Sequence, residues 1–265
     1  MASEQRTKWY DTDLTEVDSV LTAKETPTTP TIRHARKMVL LPSVTSVIGI
    51  LGSYSLEQWK IEQAIRSCVA FPFDGDETEE NVLSYIDSIK GKSVEYSEAQ
   101  ANRGKLMHAA VANWLMHKDE PEDPVNQEIA WRVEMYLKEA KATNISCERP
   151  FGSRELGYAG TPDISADIPG GIIILDLKGT TTKNIAKLKT FRSLYDSWKL
   201  QLGGYDGMFA ASGHASQLVQ VVADMDGGEP RFIEYEDPEL WRAAFQHLFD
   251  IWCTIKSYDP RKEQA

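Results

Sequence analysis

The sequence predicts a single α/β domain with a helical N-terminal half, and three observations carry that expectation. Up to about residue 144, apolar residues recur at helical spacing, as with Met107, Val111, Trp114 and Leu115. Beyond Asn144, β-branched and alternating runs take over at 145–155, 159–168 and 172–178. Further helical and strand-like segments then alternate to the C-terminus, the order an α/β domain produces.

Taken in order, residues 1–40 are polar, carry Thr-Pro-Thr-Thr-Pro at 26–30, and read as a flexible N-terminal arm. Residues 41–265 read as one domain, helical over 41–144, with the sheet core and closing helices over 145–258. Pro42-Ser43-Val44-Thr45-Ser46 offers N-cap chemistry ahead of an apolar run at 47–51. Helices are expected over 56–69, 81–90, 96–116 and 125–142, with an acidic loop at 71–80. Glu120-Pro121-Glu122-Asp123-Pro124 separates the last two. The run 159–168 pairs antiparallel with 172–178 through a hairpin turn at Pro169-Gly170-Gly171. A long helix over 187–211, strands at 217–223 and 231–235, and an amphipathic helix over 241–257 complete the chain.

Composition leaves an ordinary globular protein, at 42% hydrophobic and 26% charged residues. No apolar run approaches the roughly 20 residues of a membrane span, and the first residues lack the apolar core of a signal peptide. Cys68, Cys147 and Cys253 are scattered and odd in number, which reads as free thiols in a reducing cytoplasm. The net charge of −11 argues against a protein that coats nucleic acid with its whole surface. One segment departs from it. Lys178, Lys183, Lys187, Lys189, Arg192 and Lys199 stand against Asp196 alone, a basic run suited to a phosphate backbone.

The chemistry concentrates at the hairpin. Asp176 and Lys178 are two apart on one strand and therefore share a face, which Asp163 on the neighbouring strand can join. Two carboxylates beside a lysine suit a divalent metal and an activated water. Asp-x-Lys alone is common by chance, so its company matters. Gly104 precedes His108 by one helical turn, and Arg103 and Lys105 flank that glycine. Gln201 and Tyr205 leave one helix face at i and i+4. Gly203 and Gly204, costly inside a helix at about 1 kcal/mol each, point to close approach by another backbone or a ligand. Glu148 adds a carboxylate fifteen residues before Asp163.

In this order, Gly104-x-x-x-His108, Gly160-x-Pro162-Asp163, Asp176-x-Lys178 and Gln201-x-x-x-Tyr205 resemble the motifs of RecB-like nucleases. These belong to the PD-(D/E)xK superfamily, which includes lambda-type phage exonucleases. The likeness runs over about residues 43–255. It implies a restriction-endonuclease-like core, a central mixed sheet flanked by helices. It further implies a DNA nuclease of recombination, repair or phage DNA metabolism, most simply an exonuclease on linear single- or double-stranded DNA. Asp163, Asp176, His108 and the Leu177 carbonyl would hold one or two Mg²⁺ or Mn²⁺ ions, with Glu148 as a water-mediated contact. Lys178 would orient and help deprotonate the attacking water, and Gln201 and Tyr205 would brace the site or touch the strand. Arg103, Lys105, Lys183, Lys187, Lys189 and Arg192 would meet the nucleic acid. The family's iron–sulfur members need four cysteines, so no cluster is expected. The resemblance also admits a single-strand-annealing or recombination partner, with the oligomeric state open. An endonuclease with the same site, and a binding protein that lost catalysis, are the alternatives. The helical half and the arm are expected to cap the cleft.

Overall fold

Ser43 opens a helix as its sequence asks: its hydroxyl accepts the Ser46 N–H, and Val44, Val47 and Ile48 turn inward behind it. The computed structural model describes residues 7–22, 25–52, 54–211 and 213–263. The chain forms two compact units, one of Met1–Ile50 with His108–Ala265 and one of Leu51–Met107. The division therefore falls within the expected helical half, not at residue 144.

The first unit begins with β1 (Trp9–Tyr10), β2 (Val20–Leu21), β3 (Pro27–Thr28), α1 (Ile32–Met38), β4 (Leu41–Pro42) and α2 (Val44–Ile48). For residues 7–22 and 25–40 this corrects the reading of 1–40 as a flexible arm; residues 1–6, 23 and 24 lie outside the described residues. Trp9 and Tyr10 are buried, β1 pairs with β4, and the Trp9 ring sits edge-on to Trp252 and Tyr258. Two large aromatics outweigh the polar composition around them, and burying each is worth about 1.5–3 kcal/mol. Trp9, Tyr10, Ala35 and Leu40 of this segment therefore belong to the core.

The second unit holds α3 (Tyr54–Ala70) and most of α4 (Glu79–His117). Two helices expected over 81–116 are one helix of 39 residues. Gly91 lies inside it with no atom near its missing Cβ, and one glycine costs too little to break so long a helix. Trp59 meets Tyr96, and Phe73 meets Tyr85, along the pair.

The remainder of the first unit runs α5 (Pro124–Glu139), β5 (Thr143–Cys147), β6 (Phe151–Ser153), β7 (Tyr158–Gly160), β8 (Ile164–Ile168) and β9 (Gly171–Thr180). It continues through α6 (Thr182–Ile185), α7 (Asp196–Ala210), β10 (Ser216–Asp224), β11 (Arg231–Glu234) and α8 (Pro238–Lys256). The main sheet has the order β11-β10-β9-β8-β5, with β9 and β10 parallel and the other pairs antiparallel. It is a mixed five-stranded sheet flanked by helices. Ile173, Ile174 and Leu175 are wholly buried, as a central strand covered on both faces requires. The hairpin closes on Pro169 and Gly170, with Gly170 at φ +97.

Three expected elements are interrupted, each for a local reason. Pro150 ends the first strand run and Pro162 the second, because proline has no ladder donor; β6 and β7 pair with each other instead. The helix expected from 187 starts at Asp196. Ile185, Leu188, Phe191 and Leu194 recur every three residues and point into the core, a spacing that holds short turns rather than an α-helix.

The paired glycines of α7 are explained by close packing, Gly203 against a backbone and Gly204 against the Val44 and Phe245 side chains. A Cβ on Gly203 would collide with the Trp241 carbonyl at the start of α8. Gly203→Ala should therefore cost about 1–3 kcal/mol through overpacking, lowering the melting temperature by about 2–4 °C per kcal/mol. An unchanged melting curve would show that the two helices can part without penalty.

Candidate active site

Asp176 and Lys178 continue the face of β9 on which Ile172 and Ile174 pack among α7 residues. Asp176 is wholly buried. Its Oδ2 takes the Lys178 ammonium at 2.7 Å and the Gln220 amide at 2.9 Å. Gln220 sits opposite it on β10 and also donates to its backbone carbonyl at 2.6 Å. Asp176 Oδ1 has no hydrogen-bond partner. Leaving a buried acceptor unpaired costs about 1–3 kcal/mol, and more for a charged one.

Asp163 stands where the strand pairing stops. The last ladder pair here is Ile164 with Leu175, and Pro162 prevents the ladder from continuing. The Asp163 side chain then takes over the missing backbone partner: its Oδ2 accepts the Leu177 N–H at 2.6 Å. By strand geometry the Leu177 carbonyl lies on the same edge of β9 as that N–H. Asp163 Oδ1 faces His108 Nδ1 at 3.1 Å. Glu148, at the break after β5, adopts a left-handed backbone with φ +47 and donates its N–H to the Asp163 carbonyl at 3.0 Å. Such a conformation is uncommon for a non-glycine residue. It sets an exposed carboxylate on the rim of a depression shared with His108, Asp163 and Leu177.

From the other side, Gln201 Nε2 donates to the Tyr205 hydroxyl at 3.0 Å, joining one face of α7 as their spacing requires. The Tyr205 ring is nearly fully buried and lies against Gly160, where a Cβ would come within 2.7 Å of it. Gly160 thus makes room for the tyrosine.

Electrostatics follow from burial. Desolvation pushes the Asp176 carboxyl above its ordinary pKa, and Asp163 adds to this against the pull of Lys178 and Gln220. Burial also acts to raise Asp163, but His108, Lys178 and the Leu177 N–H outweigh it and hold Asp163 low. Lys178 is raised, since Asp176 and Asp163 overcome the desolvation that would lower it. His108 is raised in the same way, chiefly by Asp163. Burial, with Asp176 and Asp163, lifts the Tyr205 phenol well above its usual value, so it keeps its proton.

Among the described residues no three His, Cys, Asp or Glu side chains form a preassembled cation cage. His108 is engaged with Asp163, and Asp176 with Lys178 and Gln220. The donors nevertheless fit a hard divalent cation: two carboxylates, an imidazole, a strand carbonyl and a buried oxygen with nothing bound to it.

The basic residues divide. Lys183, Lys187, Lys189 and Arg192 are exposed and have no ion pair among the described residues. Lys199 is different: it is buried, bonded to Asp196 at 3.1 Å and set over Phe191 and Trp241, so it belongs to the fold. Arg103 and Lys105 are exposed on α4 within the second unit. Gln220 is the residue that the motif reading missed. Its signal was a lone amide within Leu218-Val219-Gln220-Val221-Val222, a polar group at a position only a buried partner explains.

No known family and no curated protein matches this chain. Among solved structures, one titled "Crystal structure of SSO0001" aligns over 76% of this chain and 86% of that one. The identity is 14% and the TM-score 0.35, a likeness that carries no argument.

Burial raises Asp176, so its ionised form costs stability above the folded pKa, a cost that shrinks as pH falls toward the ordinary carboxylate value. The same charge holds the Lys178 ammonium at 2.7 Å and raises its pKa, and removing one partner of a buried pair costs about 3–5 kcal/mol. Asp176→Asn should therefore melt lower than the wild type at pH 7 without added metal, by about 2–4 °C per kcal/mol, and adding Lys178→Met should recover most of the loss. A single variant as stable as the wild type would show that Lys178 does not depend on Asp176.

Proposed function

We propose that this chain is a Mg²⁺- or Mn²⁺-dependent deoxyribonuclease on a PD-(D/E)xK core, acting as an exonuclease on linear DNA. The observation that carries the reading is the meeting of Asp163, Asp176 and Lys178, with His108 alongside, where the central strand β9 parts from β8 at the end of their ladder. Asp176 Oδ1, buried beside these groups, is left without a partner.

Asp163 and Asp176, with His108 and the Leu177 carbonyl, are the groups that would hold the cation. When bound, a divalent cation supplies Lewis acidity at a non-bridging phosphate oxygen and lowers the pKa of water. The protein's own residues do the remainder. While no cation is bound, Asp176 and Asp163 raise the Lys178 pKa and hold it as an ammonium. A cation on those carboxylates would withdraw that support, and Lys178 would then orient the attacking water, help deprotonate it and offset the charge gathering on the phosphate. His108 must release its proton to become a ligand, so cation affinity weakens as pH falls through its raised pKa. Gln201 fixes the Tyr205 hydroxyl, and that hydroxyl, protonated at any working pH, remains a donor beside the carboxylates. Lys183, Lys187, Lys189 and Arg192 supply the phosphate-binding charge that the acidic remainder lacks.

Purified protein with Mg²⁺ or Mn²⁺, given linear duplex, linear single strand and closed single-stranded circle, tests the proposal. Linear DNA should be degraded and the circle spared, and Lys178→Ala should lower the rate by about 10²–10³-fold or more. Cutting of the circle would make the enzyme an endonuclease. Retention of DNA without hydrolysis would leave a binding protein on a nuclease fold.

A further inference from the structure

The segment between β9 and α7 presents more than charge. Ile185, Leu188, Phe191 and Leu194 anchor it in the core, which sends Lys187, Lys189, Arg192 and Tyr195 outward. Tyr195 is 45% exposed, a large aromatic ring in solvent on the segment that carries the exposed Lys187, Lys189 and Arg192, which have no ion pair among the described residues. Its ring is not loose: Trp198 holds it edge-to-face, with centroids 4.8 Å apart and planes at 75°. Trp198 is half-buried against the core and is fixed further by the Tyr235 hydroxyl, which donates to its carbonyl at 3.1 Å. Trp198 lies three residues before Gln201 and seven before Tyr205, on one face of α7. A braced aromatic platform therefore sits at the start of the helix whose next turns carry Gln201 and Tyr205.

We infer that Tyr195, braced by Trp198 and flanked by Lys187, Lys189 and Arg192, stacks an unpaired base and makes single-stranded DNA the substrate of the site. This deepens the nuclease reading and rests on it. Cations alone would serve duplex and single strand alike, since both offer phosphates. An exposed, rigid ring adds something only an unstacked base can use, because bases within a duplex have both faces covered. Charge complementarity commits the occupant: the cations face a polyanion, and the ring takes its bases.

The test is fluorescence anisotropy of the full chain, in EDTA to prevent hydrolysis, with labelled 20-mer oligothymidylate and a 20-base-pair duplex. The wild type should bind oligothymidylate more tightly. Tyr195→Ala should weaken that binding about 5- to 100-fold while changing duplex binding less than twofold. Tyr195→Phe, which keeps the ring, should restore it. Tyr195→Leu, which keeps apolar bulk without a π face, should fail as Tyr195→Ala does and decides the matter if the alanine variant folds poorly. Equal losses on both DNAs, no loss on either, or tighter binding of duplex by the wild type would overturn the inference while leaving the nuclease reading intact. Binding of neither DNA by the wild type would overturn both.

Discussion

A carboxylate sealed inside a sheet sets the terms for everything near it. Asp176 has no solvent contact, and an ion that is not hydrated must be neutralised, bonded or protonated. Lys178, two residues on and on the same face, supplies opposite charge, and Gln220 of the parallel strand supplies a neutral donor. These partners occupy one oxygen. Folding has left the other unpaired, in a protein whose remaining buried strand positions are almost all hydrocarbon. Such an arrangement is costly for stability and useful for holding a cation, which would supply the missing contact.

The surroundings follow from that placement. Pro162 ends one ladder so that Asp163 can turn its carboxylate onto the Leu177 N–H and the His108 ring. Gly160 gives up its side chain so that Tyr205 can lie close to both carboxylates. Gly203 lets α7 lie against the start of α8, which fixes the helix carrying Gln201 and Tyr205.

Much of this was legible in the sequence because it depends on short periods. The two-residue spacing of Asp176 and Lys178, the four-residue spacing of Gln201 and Tyr205, and the turn at Pro169-Gly170 are properties of neighbours in the chain; each pair shares a face and the hairpin closes as read, and the ion pair and the hydrogen bond within those pairs are added by the structure. What was not legible depends on distant packing. Trp9 and Tyr10 stand in a polar, proline-containing stretch; the Trp252 and Tyr258 rings more than 240 residues later make Trp9 core, and Leu41 and Ala159 enclose Tyr10. Lys199 looks like one more cation of a basic run until Phe191 and Trp241 enclose it. Gln220 carried a signal, but its partner lies 44 residues away. The contact of His108 with Asp163 joins α4 to the edge of the sheet across 55 residues, and only family resemblance suggested it.

The account stands on Asp163 and Asp176 forming a cation site, and calorimetric titration with Mn²⁺ measures that directly, without DNA or turnover. The wild type should bind one or two ions at pH 7.5, with affinity falling as pH drops and His108 and Asp176 hold their protons. Asp163→Asn and Asp176→Asn should each weaken binding at least tenfold, or about 1.4 kcal/mol, while remaining folded. Binding that is absent in the wild type, or unchanged in both variants, would show that the bare oxygen and its neighbours are a strained part of the core and not a metal centre.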